Sequence, residues 1–139
     1  MTENSYTTRF RVHATPEAVY AVINNPRAWW DGEFEGSTDS VGDEFTYRYE
    51  DKHASRQRVD SLIPNEQVSW LIVEGGPTFV QTGNEWAGTT IVFDIAPAGD
   101  ETEVRFTHLG LVPQFECYEA CSGAWSHYVN DSLRRFIAA

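Results

Sequence analysis

From Tyr6 to Val12 the chain alternates, with Tyr6, Thr8, Phe10 and Val12 on one face and Thr7, Arg9 and Arg11 on the other. A period of two with one mostly apolar face predicts a half-buried β-strand. The pattern breaks at TPEAVYAVINNP, where Thr15 suits a helix cap, Pro16 a first helical position and Glu17 the positive end of the helix dipole. Val19, Tyr20 and Ile23 supply an apolar stripe, so a short helix is predicted, ended by Asn24-Asn25. Pro26 repeats the start signal and predicts a second brief helix through Trp30.

Between positions 31 and 44 stand six acidic residues and no basic one, interleaved with Gly, Ser and Thr. This predicts a solvated loop with an edge strand around Phe34, and it lacks the fixed ligand spacing of a calcium loop. Phe45, Tyr47 and Tyr49 then alternate with Glu44, Thr46 and Arg48, and a charged turn at 50–53 leads into a polar strand over 54–62, making a hairpin. Pro64-Asn65 turns the chain into Val68, Trp70 and Ile72, a strand that Gly75-Gly76-Pro77 is expected to close. TTIVFDI up to Ala96, the turn APAGDE and EVRFTH at 103–108 complete the β-branched and aromatic segments. Over 115–137 the period changes: Tyr118, Cys121, Trp125, Tyr128 or Val129, Ser132 and Phe136 recur at steps of three and four, predicting one long amphipathic helix that Gly123 weakens locally. The order of elements is that of an α+β fold with the terminal helix lying across one face of an antiparallel sheet. Without internal repeats or low-complexity segments, one domain over 1–139 is expected.

Charge narrows the partners. Ten Lys plus Arg against 21 Asp plus Glu give a formal charge of −11, which repels nucleic-acid phosphates and anionic lipid headgroups. The amino terminus has no apolar core of the secretory kind, and VSWLIV at 68–73 is far too short to span a membrane, so the expected location is the cytoplasm, with neither nucleic acid nor membrane as partner. Five tryptophans among 14% aromatic residues point to a bulky core or a pocket lining.

Read in order, ATPEAVYAVINNPRAWW, VGDEFTYRYED, EWAGTTIVFDI, FTHLGLVP and ECYEACSGAWSHYVNDSLRRFI resemble the bacterial single-domain proteins of the START-like (SRPBCC) superfamily. The branch they are most similar to is named for homology to the carboxy-terminal domain of the activator of the ninety-kilodalton heat-shock protein's ATPase. The resemblance runs from about Arg9 to Ile137. It implies a helix-grip fold: a curved antiparallel sheet wrapped around a long C-terminal helix, two short helices after the first strand, and a cavity between sheet and helix. It does not imply one chemistry, because relatives bind lipids, hormones or polyketides and a few are cyclases.

Given such a cavity, Tyr47, Tyr49, Trp70, Phe93, Phe106, His108, Cys121 and Trp125 are the candidates for its lining. His108 shares a strand face with Val104 and Phe106; it either turns its imidazole to the cavity mouth or bonds a loop carbonyl at the strand end. The tyrosines offer hydroxyls on the inward face, whereas Arg48 and Arg58 fall on the solvent face by parity. Cys117 and Cys121, four apart on a helix, would hold their β-carbons about 5–6 Å apart, farther than a disulfide wants. No second ligand pair stands at a recognisable interval for a metal, and His127 lies round the helix from Cys121, so both cysteines are read as small packing groups. No GxxxxGK, GxGxxG, HExxH, CxxC or GxSxG is present, and no cofactor, metal or catalytic residue is assigned.

The function expected is noncatalytic binding of a small apolar or amphipathic molecule in the cavity. A co-chaperone-like interaction module is the alternative, and a cyclase- or hydrolase-type enzyme a third. In the eukaryotic activator a further amino-terminal domain shares the chaperone contact, and with no such domain in these 139 residues no stimulation of a chaperone ATPase is expected.

Overall fold

The computed structural model describes residues 5–78 and 84–138. Among these residues, seven strands form one antiparallel sheet: β1 (Tyr6–Val12), β2 (Glu33–Gly36), β3 (Glu44–Tyr49), β4 (His53–Ile63), β5 (Gln67–Pro77), β6 (Thr90–Ala98) and β7 (Glu101–Leu109), in the spatial order β1-β7-β6-β5-β4-β3-β2. Helices α1 (Pro16–Ile23) and α2 (Pro26–Trp29) connect β1 to β2. The Thr15 hydroxyl caps α1 by accepting from the Ala18 N–H at 3.1 Å. The curved sheet grips a terminal helix made of α3 (Tyr118–Trp125), a π-helical stretch (Ser126–Leu133) and α4 (Arg134–Ala138). This is the α+β helix-grip architecture the sequence predicts.

Two boundaries differ from expectation. β5 does not stop at Gly75-Gly76-Pro77; those residues pair with Ser55, Ala54 and His53 of β4 beyond a register shift at Arg56/Gln57. Gly75 has φ +97, and a β-carbon there would stand 2.2 Å from the Ala54 carbonyl oxygen, so glycine here admits a close-paired, bulged strand rather than ending it. The helix stripe agrees with expectation through Val129 and differs beyond it, where Leu133 and Ile137 take the places expected of Ser132 and Phe136. Val129, Leu133 and Ile137 are buried at steps of four, while Phe136 is 51% exposed. A turn closed by i→i+5 bonds holds more than four residues, so through 126–133 a step of four keeps to one face where the α period would carry it away.

The interior changes character along this helix. Val19 and Ile23 of α1, Leu133, Ile137 and Ile95 are aliphatic and buried where α1 meets β6 and α4. Toward the start of the helix the interior is aromatic: Trp30, Trp70, Trp86, Trp125, Phe93 and Phe106 are all buried. Ser132 donates to the Trp29 carbonyl at 2.7 Å, tying the helix to α2 between these two regions.

Candidate functional site

At the aromatic end the side chains leave a cavity of about 180 Å³. The β3–β4 hairpin contributes Tyr47, Tyr49, Lys52 and His53, the end of β5 Pro77, and the segments after α2 and before β6 Trp30 and Trp86. The terminal helix closes it with Ala120, Cys121, Ala124, Trp125 and Tyr128. The mouth lies where exposed Ala120 and Ala124 on the helix face exposed Lys52 on the hairpin tip.

The walls are rings in mutual contact. Trp30 stacks on Tyr47 at 4.1 Å between centroids and Trp86 on Trp125 at 5.8 Å, while Trp30 and Trp125 meet at 5.0 Å. Trp86 stands edge-on to two imidazoles, 4.5 Å from His53 and 4.7 Å from His108. It reaches them because Gly76 carries no side chain; a β-carbon there would meet Trp86 atoms at 3.1–3.2 Å. The Tyr47 hydroxyl donates to the Asp31 carbonyl. Burial, with Tyr128 and Asp31 adding negative potential, holds the Tyr47 phenol well above the ordinary tyrosine range, and burial likewise raises Tyr128.

His108 does not face the cavity. Its Nδ1 accepts from the Trp125 indole N–H at 3.0 Å, and its Nε2 lies 2.8 Å from the Thr89 hydroxyl, which donates its own hydrogen to the Trp86 carbonyl. Thr89 has no second hydrogen, so Nε2 carries the imidazole proton and both ring nitrogens are used. Burial, and secondarily His53, lowers this imidazole to about 3, which keeps it neutral. His108 is thus a connector between the terminal helix and the segment holding Trp86. Of the candidates named from sequence, Tyr47, Tyr49, Cys121 and Trp125 line the cavity. Trp70, Phe93, Phe106 and His108 lie in the packed core behind it, where Trp70 and Phe106 each meet Phe93 edge-on within 5.5 Å.

The cysteines also differ from the sequence reading. Cys117 is the residue before α3, with φ −86 and ψ 1, not an interior helical position. Its Cα lies 5.6 Å from that of Cys121, within the range a disulfide spans, and the two sulfurs are bonded. The helical β-carbon spacing used to disfavour the bond does not apply outside the helix. Nearby, the Glu85 carboxylate accepts from the backbone N–H groups of Glu116 at 2.7 Å and Cys117 at 3.1 Å.

His53, Trp86, Trp30, Lys52 and Tyr128 are cavity residues that the sequence reading does not single out. For His53 a signal existed: Arg56 and Arg58 mark the outer face of β4, where they pair with Glu44 and Glu74 at 2.8–3.0 Å, which puts His53, Ser55, Gln57 and Val59 inward. Burial lowers His53 to about 4, so it too is neutral.

The family model for Activator of Hsp90 ATPase homolog 1-like protein matches residues 13–138. The chain is similar in structure to the Aha1 dimer of Colwellia psychrerythraea (24% identity, 96% of each chain, TM-score 0.79) and to protein MLL2253 of Mesorhizobium loti (15% identity, 96% of each chain, TM-score 0.78). DynU16, from the dynemicin biosynthetic locus, is similar at 16% identity over 97% of this chain and 47% of its own, with a TM-score of 0.69. No curated protein matches the chain. Among the described residues, no helix is long and apolar enough to cross a membrane.

Proposed function

We propose that this chain, which belongs to the Activator of Hsp90 ATPase homolog 1-like family, is a noncatalytic binding protein for a small apolar or amphipathic molecule. The observation that carries the reading is the cavity of about 180 Å³ with a mouth between the hairpin and the terminal helix, walled by aromatic rings and few polar groups. Folds of this family commonly bind small hydrophobic ligands. A close-packed interior without a mouth would have suited an interaction module acting through its surface. Enzymatic chemistry needs convergent polar groups; here one imidazole has a nitrogen to spare, and the Tyr47 and Tyr128 hydroxyls are shifted away from proton transfer near neutrality.

Ala124 provides the test. It is exposed on the helix at the mouth, so Ala124→Leu obstructs entry with little effect on the core, expected within about 0.5 kcal/mol in urea denaturation. Hydrophobic probes are expected to change tryptophan emission saturably in the wild type, much less in Trp125→Phe, and not at all in Ala124→Leu. Equal responses in all three proteins, or none in any, would remove the reading.

A further inference from the structure

Behind the His53 wall of the cavity lies a row of buried polar side chains that the apolar lining does not explain. Gln57, fully buried on the inner face of β4, donates from Nε2 to the Ser55 hydroxyl oxygen at 3.1 Å, and that hydroxyl lies 2.9 Å from Nε2 of His53. Burying three polar side chains in a row opposes stability, the more so as the Gln57 Oε1 has no partner among the described residues, and a chain of this kind fixes the orientation of the ring at its end. The other ring nitrogen, Nδ1, makes no hydrogen bond among the described residues, and His53 lines the cavity.

We propose that the cavity takes a neutral one-ring phenol, its ring against the wall made by the indoles of Trp30, Trp86 and Trp125 and its hydroxyl bonded to Nδ1 of His53. The proposal rests on the binding reading above and adds the ligand's size, charge and polar group. Size follows from volume: about 180 Å³ is slightly more than the ~150 Å³ of an engineered apolar cavity that binds benzene, enough for one substituted ring and too little for a sterol. Neutrality follows from the lining. Among the described residues Lys52 is the charged side chain of the lining; it stands at the rim 63% exposed and lies 3.8 Å from Glu50, so an ionised group deep inside would meet no counter-charge. Near pH 7 aromatic carboxylic acids are ionised, whereas a phenol, titrating at about 10 like tyrosine, is not. A hydroxyl also both donates and accepts, so it pairs with Nδ1 whichever nitrogen carries the proton. The lowered imidazole, about 4 through burial, keeps that nitrogen uncharged.

The matched pair p-cresol and toluene, titrated by calorimetry at pH 7, reads the hydroxyl alone. In the wild type p-cresol is expected to bind about five- to tenfold more tightly than toluene, the worth of one buried hydrogen bond. His53→Leu is expected to bring the ratio to about one by weakening p-cresol only, and His53→Asn, whose amide reaches the place of Nδ1, to restore part of it. Equal affinities in the wild type overturn the phenol assignment and leave the cavity reading standing. Benzoate binding more tightly than p-cresol, with loss in Lys52→Met, overturns neutrality. Binding of a sterol or fatty acid without p-cresol overturns the size, and binding of no probe overturns the proposal together with the reading beneath it. The wild-type pair decides even if His53→Leu fails to fold.

Discussion

The two ends of the gripped helix are built on different terms. Around Leu133 and Ile137 the interior is aliphatic, and the helix packs against α1 and β1. Around Cys121 and Trp125, roughly 20 Å back along the axis, large rings meet edge-on and stacked, two imidazoles are buried among them, and a cavity remains. Short aliphatic side chains collapse together and leave little space; rigid planar rings joined by hydrogen bonds cannot close every gap. The comparison teaches that one helix can close the interior at one end and leave a cavity at the other.

The sharpest way to break this division is paired truncation. Trp125→Ala is expected to cost about 3–5 kcal/mol in urea denaturation, since it also leaves His108 Nδ1 without its donor, and to abolish probe binding. Leu133→Ala, fully buried at the other end, is expected to cost about 2–5 kcal/mol with probe affinity unchanged. If Leu133→Ala weakens binding as much as Trp125→Ala, the ends are not separate.

Acid is the next lever, because both buried histidines lie at the aromatic end. Their folded values of about 4 and 3 lie below the unfolded value of about 6.5, so between these limits the unfolded chain holds more protons. Stability is therefore full above pH 6.5 and falls as pH drops below it, by about 2 kcal/mol per histidine at pH 5. Thermal melts from pH 7 to 4 check this, and His53→Leu is expected to flatten the slope by about half. An unchanged slope would mean that other groups set the acid response.

The smallest expected effect is at the disulfide. A loop of five residues confers about 2 kcal/mol by loop entropy, so reduction, or replacing both cysteines by Ala, is expected to lower stability by about that much. Alkylation followed by mass measurement identifies the bonded form. A reductant that shifts the wild type and the double variant equally would rule the bond out as a source of stability.

How far the sequence was legible follows from which patterns repeat. Strands such as Phe45-Thr46-Tyr47 and Val104-Arg105-Phe106 alternate cleanly, and Thr15-Pro16-Glu17 is a complete helix start, so the helix-grip order could be read. The inner polar row of β4 was missed because its alternation is between polar residues of different charge, which a hydrophobic count does not register. The stripe leaves the expected positions after Val129 because a π segment does not keep the α period. Trp70, Phe93 and Phe106 had the same parity and chemistry as true lining residues; only the depth of each strand behind the cavity separates them, and depth is not a local property of sequence.

Glu85 has a consequence for the order in which this chain comes together. Cys117 offers no side-chain cap to α3, and the two N–H groups at that end are met by a carboxylate 31 and 32 residues earlier in the chain. The first turn itself closes locally, through the Cys121 N–H to the Cys117 carbonyl and the Cys117–Cys121 bond, but the two amides leading into it wait on long-range docking of the strand connection that bears Glu85. Contacts of such sequence separation close late and open first, so solvent deuterium is expected to reach the Glu116 and Cys117 amides long before those of Val129 and Leu133. The mouth residues Ala120 and Ala124 sit just past these late-docking amides, so the edge of the cavity is tied to the connection between β5 and β6 and not to the helix alone.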